Sequence, residues 1–174
     1  AAGVLWVTLL FAAVLGINRV FVAEQEQGGF DGFLLAPVDR TAMFVAKAIA
    51  LFCFLAVVEL AAIPAYSILL LGPSPWEPLP GLLLVLALGN AGIAIVGTLV
   101  AGIAVRTRAR DLIGPLVTLP LLVPVVLASS EATSALFAAG GPDGLPGRWL
   151  AILAIYDLIF ALVAYGVFDF LLED

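Results

Sequence analysis

Residues Val45 to Leu71 read VAKAIALFCFLAVVELAAIPAYSILLL. A membrane-spanning helix needs about 20 mostly apolar residues. This run supplies them with only Lys47 near its start and Glu59 near its middle carrying charge. It is apolar on every side and shows no period-two alternation, so it reads as a helix and not as a barrel strand. Working outward, four other stretches follow the same reading: 1–18, 80–105, 112–128 and 149–171. The fourth of the five spans is short and carries Pro115, Pro120 and Pro124. The expected fold class is an all-α membrane protein, a polytopic helix bundle forming a single transmembrane domain over residues 1–174.

Composition agrees with that reading. Of 174 residues, 64% are hydrophobic and 11% charged, with a mean hydropathy of +1.22. A soluble domain of this length has a wet surface to cover, and the chain lacks the polar residues to cover it. The excess apolar surface must face lipid. A net charge of −6 argues against nucleic acid as a partner, since that needs a basic face. The chain has no histidine, one methionine (Met43) and one cysteine (Cys53). Metal or haem sites built from such ligands cannot be assembled within one copy, so no metal site, no catalytic residue and no resident cofactor are expected. The sequence opens on Ala1-Ala2 inside an apolar run, without Met or a basic n-region. That start reads as a truncation and not as a signal peptide.

The few charges are sided. The first connection, residues 19–44, and the start of the next span carry Arg19, Arg40 and Lys47; the third carries Arg106, Arg108 and Arg110. The second connection has no basic residue, and the fourth, 129–148, has only Arg148. The positive-inside rule puts the first and third connections in the cytoplasm. The C-terminus is then cytoplasmic and the 129–148 loop external. A chain starting outside is awkward without a signal. One further N-terminal span, apparently missing, would give six spans with both ends inside. Trp76 and Trp149 fall at the outer ends, where an aromatic belt is expected.

Several features invite a functional reading. In the first connection the apolar residues Phe30, Phe33 and Leu34 recur at helical spacing before a Pro37-Val38-Asp39-Arg40 break. Such an amphipathic piece either lies flat on the membrane or docks a cytoplasmic partner. Glu59 costs about 3 kcal/mol or more at mid-membrane depth, so it should face protein or water. It is either part of a substrate or gating surface or a carboxyl hydrogen-bonded between helices. Asp157 lies about two turns into the fifth span. A salt bridge to either carboxyl has to come from another subunit or a snorkelling Lys or Arg. Asn90, Ala94, Thr98 and Gly102 recur at steps of four, a small-residue stripe suited to close helix packing. Pro120 and Pro124 should kink the fourth span. Residues 131–137 read as a short external helix ahead of the turn-rich Gly140-Gly141-Pro142-Asp143-Gly144. No phosphate-binding Gly-Lys-Ser/Thr motif and no nucleophile elbow occur.

The block Glu24-Gln25-Glu26, Gly32-Phe33-Leu34-Leu35-Ala36-Pro37-Val38-Asp39-Arg40 and Ala46-Lys47-Ala48 resembles the CcmB family. That family is the membrane subunit of the haem-exporter ABC system of cytochrome c maturation. Val58-Glu59-Leu60, Val105-Arg106-Thr107-Arg108-Ala109-Arg110, Leu119-Pro120-Leu121-Leu122-Val123-Pro124 and the terminal Phe168 to Asp174 resemble it too, in order along the whole chain. The resemblance implies a six-helix permease of ABC-2 type in the bacterial inner membrane. ATP and Mg would be bound by a cytoplasmic ATPase subunit, CcmA-like, and haem would be cargo. Other haem-handling membrane subunits and a periplasmic haem chaperone would be partners, as would a second copy of the chain. By the same resemblance, Phe30, Asp31, Phe33, Leu34, Pro37, Asp39 and Arg40 would be the ATPase-coupling element. The absence of histidine suits a subunit whose movement releases a haem-loaded chaperone elsewhere as well as one that passes haem itself. Two alternatives stay open: an ABC-2 permease for a lipid, drug or glycan, and a membrane scaffold with no transport path. An independent secondary transporter fits less well, since no inverted repeat of broken helices is visible.

Overall fold

The computed structural model describes residues 2–26, 40–70, 74–104, 110–138 and 144–171. They form five helices: α1 (Ala2–Glu26), α2 (Arg40–Leu69), α3 (Leu79–Ala104), α4 (Arg110–Ala138) and α5 (Gly147–Leu171). All five contain stretches long and apolar enough to cross a membrane, and the described residues contain no strand.

The helices alternate in direction. Gly16 of α1 packs on Leu51 and Phe54 of α2, while Val4 and Leu5 share a pocket with Ala65 and Tyr66, so these two run antiparallel. Gly89 of α3 lies on Trp6 and Gly97 on Ile17, so α3 runs parallel to α1. One helix stands in the centre. α3 touches all four others, which close a ring around it in the order α1, α2, α5, α4. Among the described residues α1 does not touch α5, nor α2 touch α4.

The sequence explains why α3 takes the centre. It carries no ionisable residue, and its only strongly polar side chains, Asn90 and Thr98, are buried. Its glycines let neighbours come close on different sides: Trp6 and Ser129 over Gly89, Asp157 and Val125 over Gly92, Ile17 and Leu51 over Gly97. Some 67% of its span is buried, against 17% for α2 and for α5, which spend most of their surface on lipid. Phe11, Leu15, Val57, Leu60, Leu116, Leu158 and Leu162 all point outward. In water they would form an aggregating surface; in a bilayer they are solvated.

Three boundaries differ from the sequence reading. α1 runs to Glu26 and α2 begins at Arg40, so helix covers much of the expected 19–44 connection. α4 continues unbroken through Ala138 where a span ending at 128 and a separate short helix were expected. The reason is packing: Ser129, Ala132, Thr133 and Leu136 prolong the buried face of Val125 and Ala128 at helical spacing. The first strong breaker is Gly140-Gly141-Pro142. Residues 129–138 of the expected 129–148 loop are helical. Pro115, Pro120 and Pro124 all lie inside α4.

Candidate functional site

Three of the buried polar residues of the spans, Glu59, Asn90 and Asp157, lie near one depth. Asn90 and Gly92, near the middle of α3, mark its depth, about 3 Å apart by helix rise. Glu59 meets Asn90 from α2. Asp157 meets Gly92 from α5; a Cβ added to that glycine would lie 2.6 Å from Asp157 Oδ1. Residues two apart on a helix point to nearly opposite sides. The structure therefore brings Glu59 and Asn90 together but holds Asp157 on another face of α3. Two carboxyls so separated do not make a shared ligand set, and no group of three or more potential His, Cys, Asp or Glu ligands occurs among the described residues.

Neither carboxyl has a full set of partners. Glu59 of α2 and Asn90 of α3 lie beside each other, and Glu59 Oε1 and Asn90 Oδ1 have no hydrogen-bond partner. Both Asp157 oxygens lack a partner as well. Glu59 is 6% exposed, Asn90 1% and Asp157 8%, so water does not reach these atoms from outside. Buried polar atoms without partners are uncommon, and each costs about 1–3 kcal/mol.

The layer includes residues that the sequence reading did not single out. Trp6 is fully buried, and its Nε1–H donates to Thr133 Oγ1 at 3.0 Å; the Thr133 hydroxyl donates in turn to the Ser129 carbonyl at 2.7 Å. On the other flank, the Tyr156 hydroxyl donates to the Leu121 carbonyl. Leu121 follows Pro120, whose own carbonyl Pro124 leaves without a helical donor. The Tyr156 ring stacks on Phe160, centroids 4.5 Å apart. One signal did exist: a tryptophan six residues into a span lies too deep for the interfacial belt and calls for an internal partner.

The remaining expected site residues fall outside this layer. Phe30, Asp31, Phe33, Leu34, Pro37 and Asp39 lie outside the described residues, as do Arg106 and Arg108. Arg40 and Arg110 are the first residues of α2 and α4. By chain order they fall at the bundle end opposite Trp76 and Trp149. Trp76 is exposed at that far end, and the Arg148 guanidinium sits 5.4 Å from the centre of the Trp149 ring. In the half of the bundle nearer Arg40 there is an apolar cleft of about 340 Å³. Its walls are Phe44, Ala48 and Phe52 of α2, Ala94 of α3 and Ala161 and Ala164 of α5.

These features define a multi-pass, all-helical membrane protein with a mid-depth layer of buried carboxyl and amide groups around a central uncharged helix. The model of the CcmB protein family matches residues 1–168, and the chain belongs to that family. It is similar to heme exporter protein B of Rhodobacter capsulatus, 31% identical over 134 residues, covering 75% of this chain and 59% of that protein. It is also similar to heme exporter protein B of Paracoccus denitrificans, 30% identical over 92% of this chain and 72% of that protein. The Pseudomonas aeruginosa protein of the same name is 29% identical over 93% and 73%. The chain thus spans between 59% and 73% of the length of these relatives. No solved structure matches it.

Proposed function

We propose that this chain is the transmembrane permease subunit of an ABC complex that handles haem in cytochrome c maturation. Membership of the CcmB family over residues 1–168 carries the reading, and the names of the relatives supply its substrate. The subunit does not hydrolyse ATP itself. A cytoplasmic CcmA-like ATPase does so and docks on the connection before α2, through Phe30, Asp31, Phe33, Leu34, Pro37, Asp39 and Arg40. The basic connection before α4, with Arg106, Arg108 and Arg110, would by chain order face the same, cytoplasmic, side. The protein sits in the bacterial inner membrane with its C-terminus inside. A second copy completes the membrane half, alongside other haem-handling subunits and a periplasmic haem chaperone.

The bundle supports a mechanical role. A helix wrapped on all sides transmits displacement of any neighbour to the others, because packed interiors deform little. Docking energy at the Arg40 end of α2 therefore reaches Glu59 along one helix. ATP binding would bias two arrangements of the bundle, and the difference would drive haem export or release of the loaded chaperone.

Affinity purification from native membrane, with mass-spectrometric identification of what co-purifies, tests the reading. An ABC ATPase and haem-handling membrane subunits are the expected partners. Replacing Asp39 and Arg40 together by alanine should abolish recovery of the ATPase while leaving the membrane protein folded. Normal ATPase recovery and stimulation by that double variant would sink the coupling assignment. Recovery of lipid- or glycan-exporting partners instead would sink the haem assignment.

A further inference from the structure

The apolar cleft between α2 and α5 is where three alanine-lined faces meet. Ala48 of α2, Ala91 and Ala94 of α3, and Ala161 and Ala164 of α5 all border it. On α2 the bordering residues recur at helical spacing, with Phe44 and Phe52 one turn to either side of Ala48. The short side chains part the helices and leave about 340 Å³ between them. Packed interiors do not keep such space empty, since its walls lose their contacts on one side. Water is a poor filler, because each molecule needs about two to four polar partners. Among the described lining residues only Thr41 and Tyr165 carry a polar side-chain atom, and both stand toward the Arg40 end of the bundle.

The position of the cleft says what fills it. α3 forms its floor, and its mouth lies in the gap between α2 and α5, where Ile49 is 56% exposed and Tyr165 62%. That mouth is continuous with the lipid-facing surface of both helices, at Val45 on α2 and at Leu158 and Leu162 on α5. Along α2 the lining runs from Thr41 to Phe52, about 16 Å by helix rise. The hydrocarbon of one leaflet is about 15 Å thick, half of a core of about 30 Å. The cleft therefore spans one leaflet, from the Arg40 end to mid-membrane, and opens sideways into it. A helix of a second protein would find little to pack on, since the floor runs only from Ala91 to Ile95, about 6 Å or barely one turn. A single hydrocarbon chain needs neither a longer floor nor a polar partner.

We propose that the cleft is a binding site for one acyl chain of a membrane phospholipid, taken from the leaflet at the Arg40 end and seated between α2 and α5 on the alanines of α3. The headgroup stays at the membrane surface, so recognition is of the chain. The seated chain fills the α2–α5 seam as a removable spacer. The site goes beyond the haem reading and rests on the cleft alone, so its failure would leave that reading untouched.

Photolabelling of the full-length protein tests it. The protein is placed in phosphatidylethanolamine–phosphatidylglycerol vesicles doped with a phospholipid that carries a diazirine near the end of one acyl chain. After photolysis, residue-resolved mass spectrometry should find lipid adducts on residues 91–95 of α3, which lie behind α2 and α5, beside those expected on exposed Leu158 and Leu162. Ala48→Phe fills the cleft and should lose the α3 adducts while keeping those on α5; Ala161→Leu repeats the test from the opposite wall. A wild type without adducts on 91–95 overturns the proposal, and that result needs neither variant to fold. Adducts that persist unchanged in the filled variants overturn it too. With p-benzoylphenylalanine in place of Ile49, irradiation of native membranes should give a phospholipid adduct; cross-linking to a second copy or another protein instead would mean that a protein covers the cleft.

Discussion

Gly89→Ala is the sharpest test of the packing around α3. The added Cβ would lie 2.4 Å from Trp6 Cη2, 2.6 Å from Cζ3 and 2.9 Å from Ser129 Oγ. Ordinary contact begins near 3.4 Å, so the indole must retreat by about 1 Å. It is poorly free to do so, being fully buried and tied through Nε1 to Thr133 at 3.0 Å. Overpacking of this kind costs about 1–3 kcal/mol. Loss of the Trp6–Thr133 bond adds about 0.5–1.5 kcal/mol. The better helix propensity of alanine returns about 1 kcal/mol. The net expectation is a destabilisation of about 2 kcal/mol, a factor of roughly 30 in the folding equilibrium. SDS-titration unfolding followed by tryptophan fluorescence measures it. Gly166→Ala is the control, since nothing lies within 4 Å of its added Cβ; it should be neutral or gain up to about 1 kcal/mol. Combining Gly89→Ala with Trp6→Phe should recover part of the loss, because the smaller ring vacates the space, giving a favourable coupling in a double-mutant cycle. If Gly89→Ala unfolds at the same SDS fraction as Gly166→Ala, or if Trp6→Phe restores nothing, Trp6 does not sit over Gly89.

Other substitutions probe the remaining seams and the lipid-facing surface. Tyr156→Phe removes the donor to the Leu121 carbonyl between two prolines and should cost about 1 kcal/mol, read in the same unfolding assay; no change would mean that the bond is not made. Leu158→Lys places a charge on the lipid-facing side of α5 and should raise the apparent insertion free energy by about 3 kcal/mol in a translocon assay, whereas Leu158→Phe should not. Asp157→Asn should assemble normally, while Asp157→Leu with its branched bulk against Gly92 should lower the yield of folded protein; equal yields would place Asp157 away from that glycine.

The five spans were legible because they rest on one effect that outweighs the rest, the transfer of long apolar runs into lipid, which needs no tertiary detail. Their ends were less so. Ser129 to Ala138 looks polar enough to leave the membrane, and only its pairing with Trp6 and the α3 face shows why it stays helical. The candidate site was half legible. Glu59, Asn90 and Asp157 stood out as ionisable or amide groups at unsuitable depth. Their division into an α2–α3 pair and a separate α5 carboxyl could not be read, because it depends on which faces of α3 meet which neighbours. The small-residue stripe was read at Asn90, Ala94, Thr98 and Gly102, but the close approaches run through Gly89, Gly92 and Gly97. A stripe at steps of four describes packing against one partner, and a helix enclosed by four needs small residues on several sides.

Enclosure also bears on how such a bundle moves. Around α3 the seams are held unequally. Trp6 to Thr133 ties α1 to α4, and Tyr156 to Leu121 ties α5 to α4. The seam between α2 and α5 is the one that holds the apolar cleft of about 340 Å³, and alanines at 48, 161 and 164 keep it open. Separating two helices costs the contacts they share, so a seam already parted by a cleft costs least to widen. Of the seams around α3, the one between α2 and α5 is therefore the one that costs least to widen.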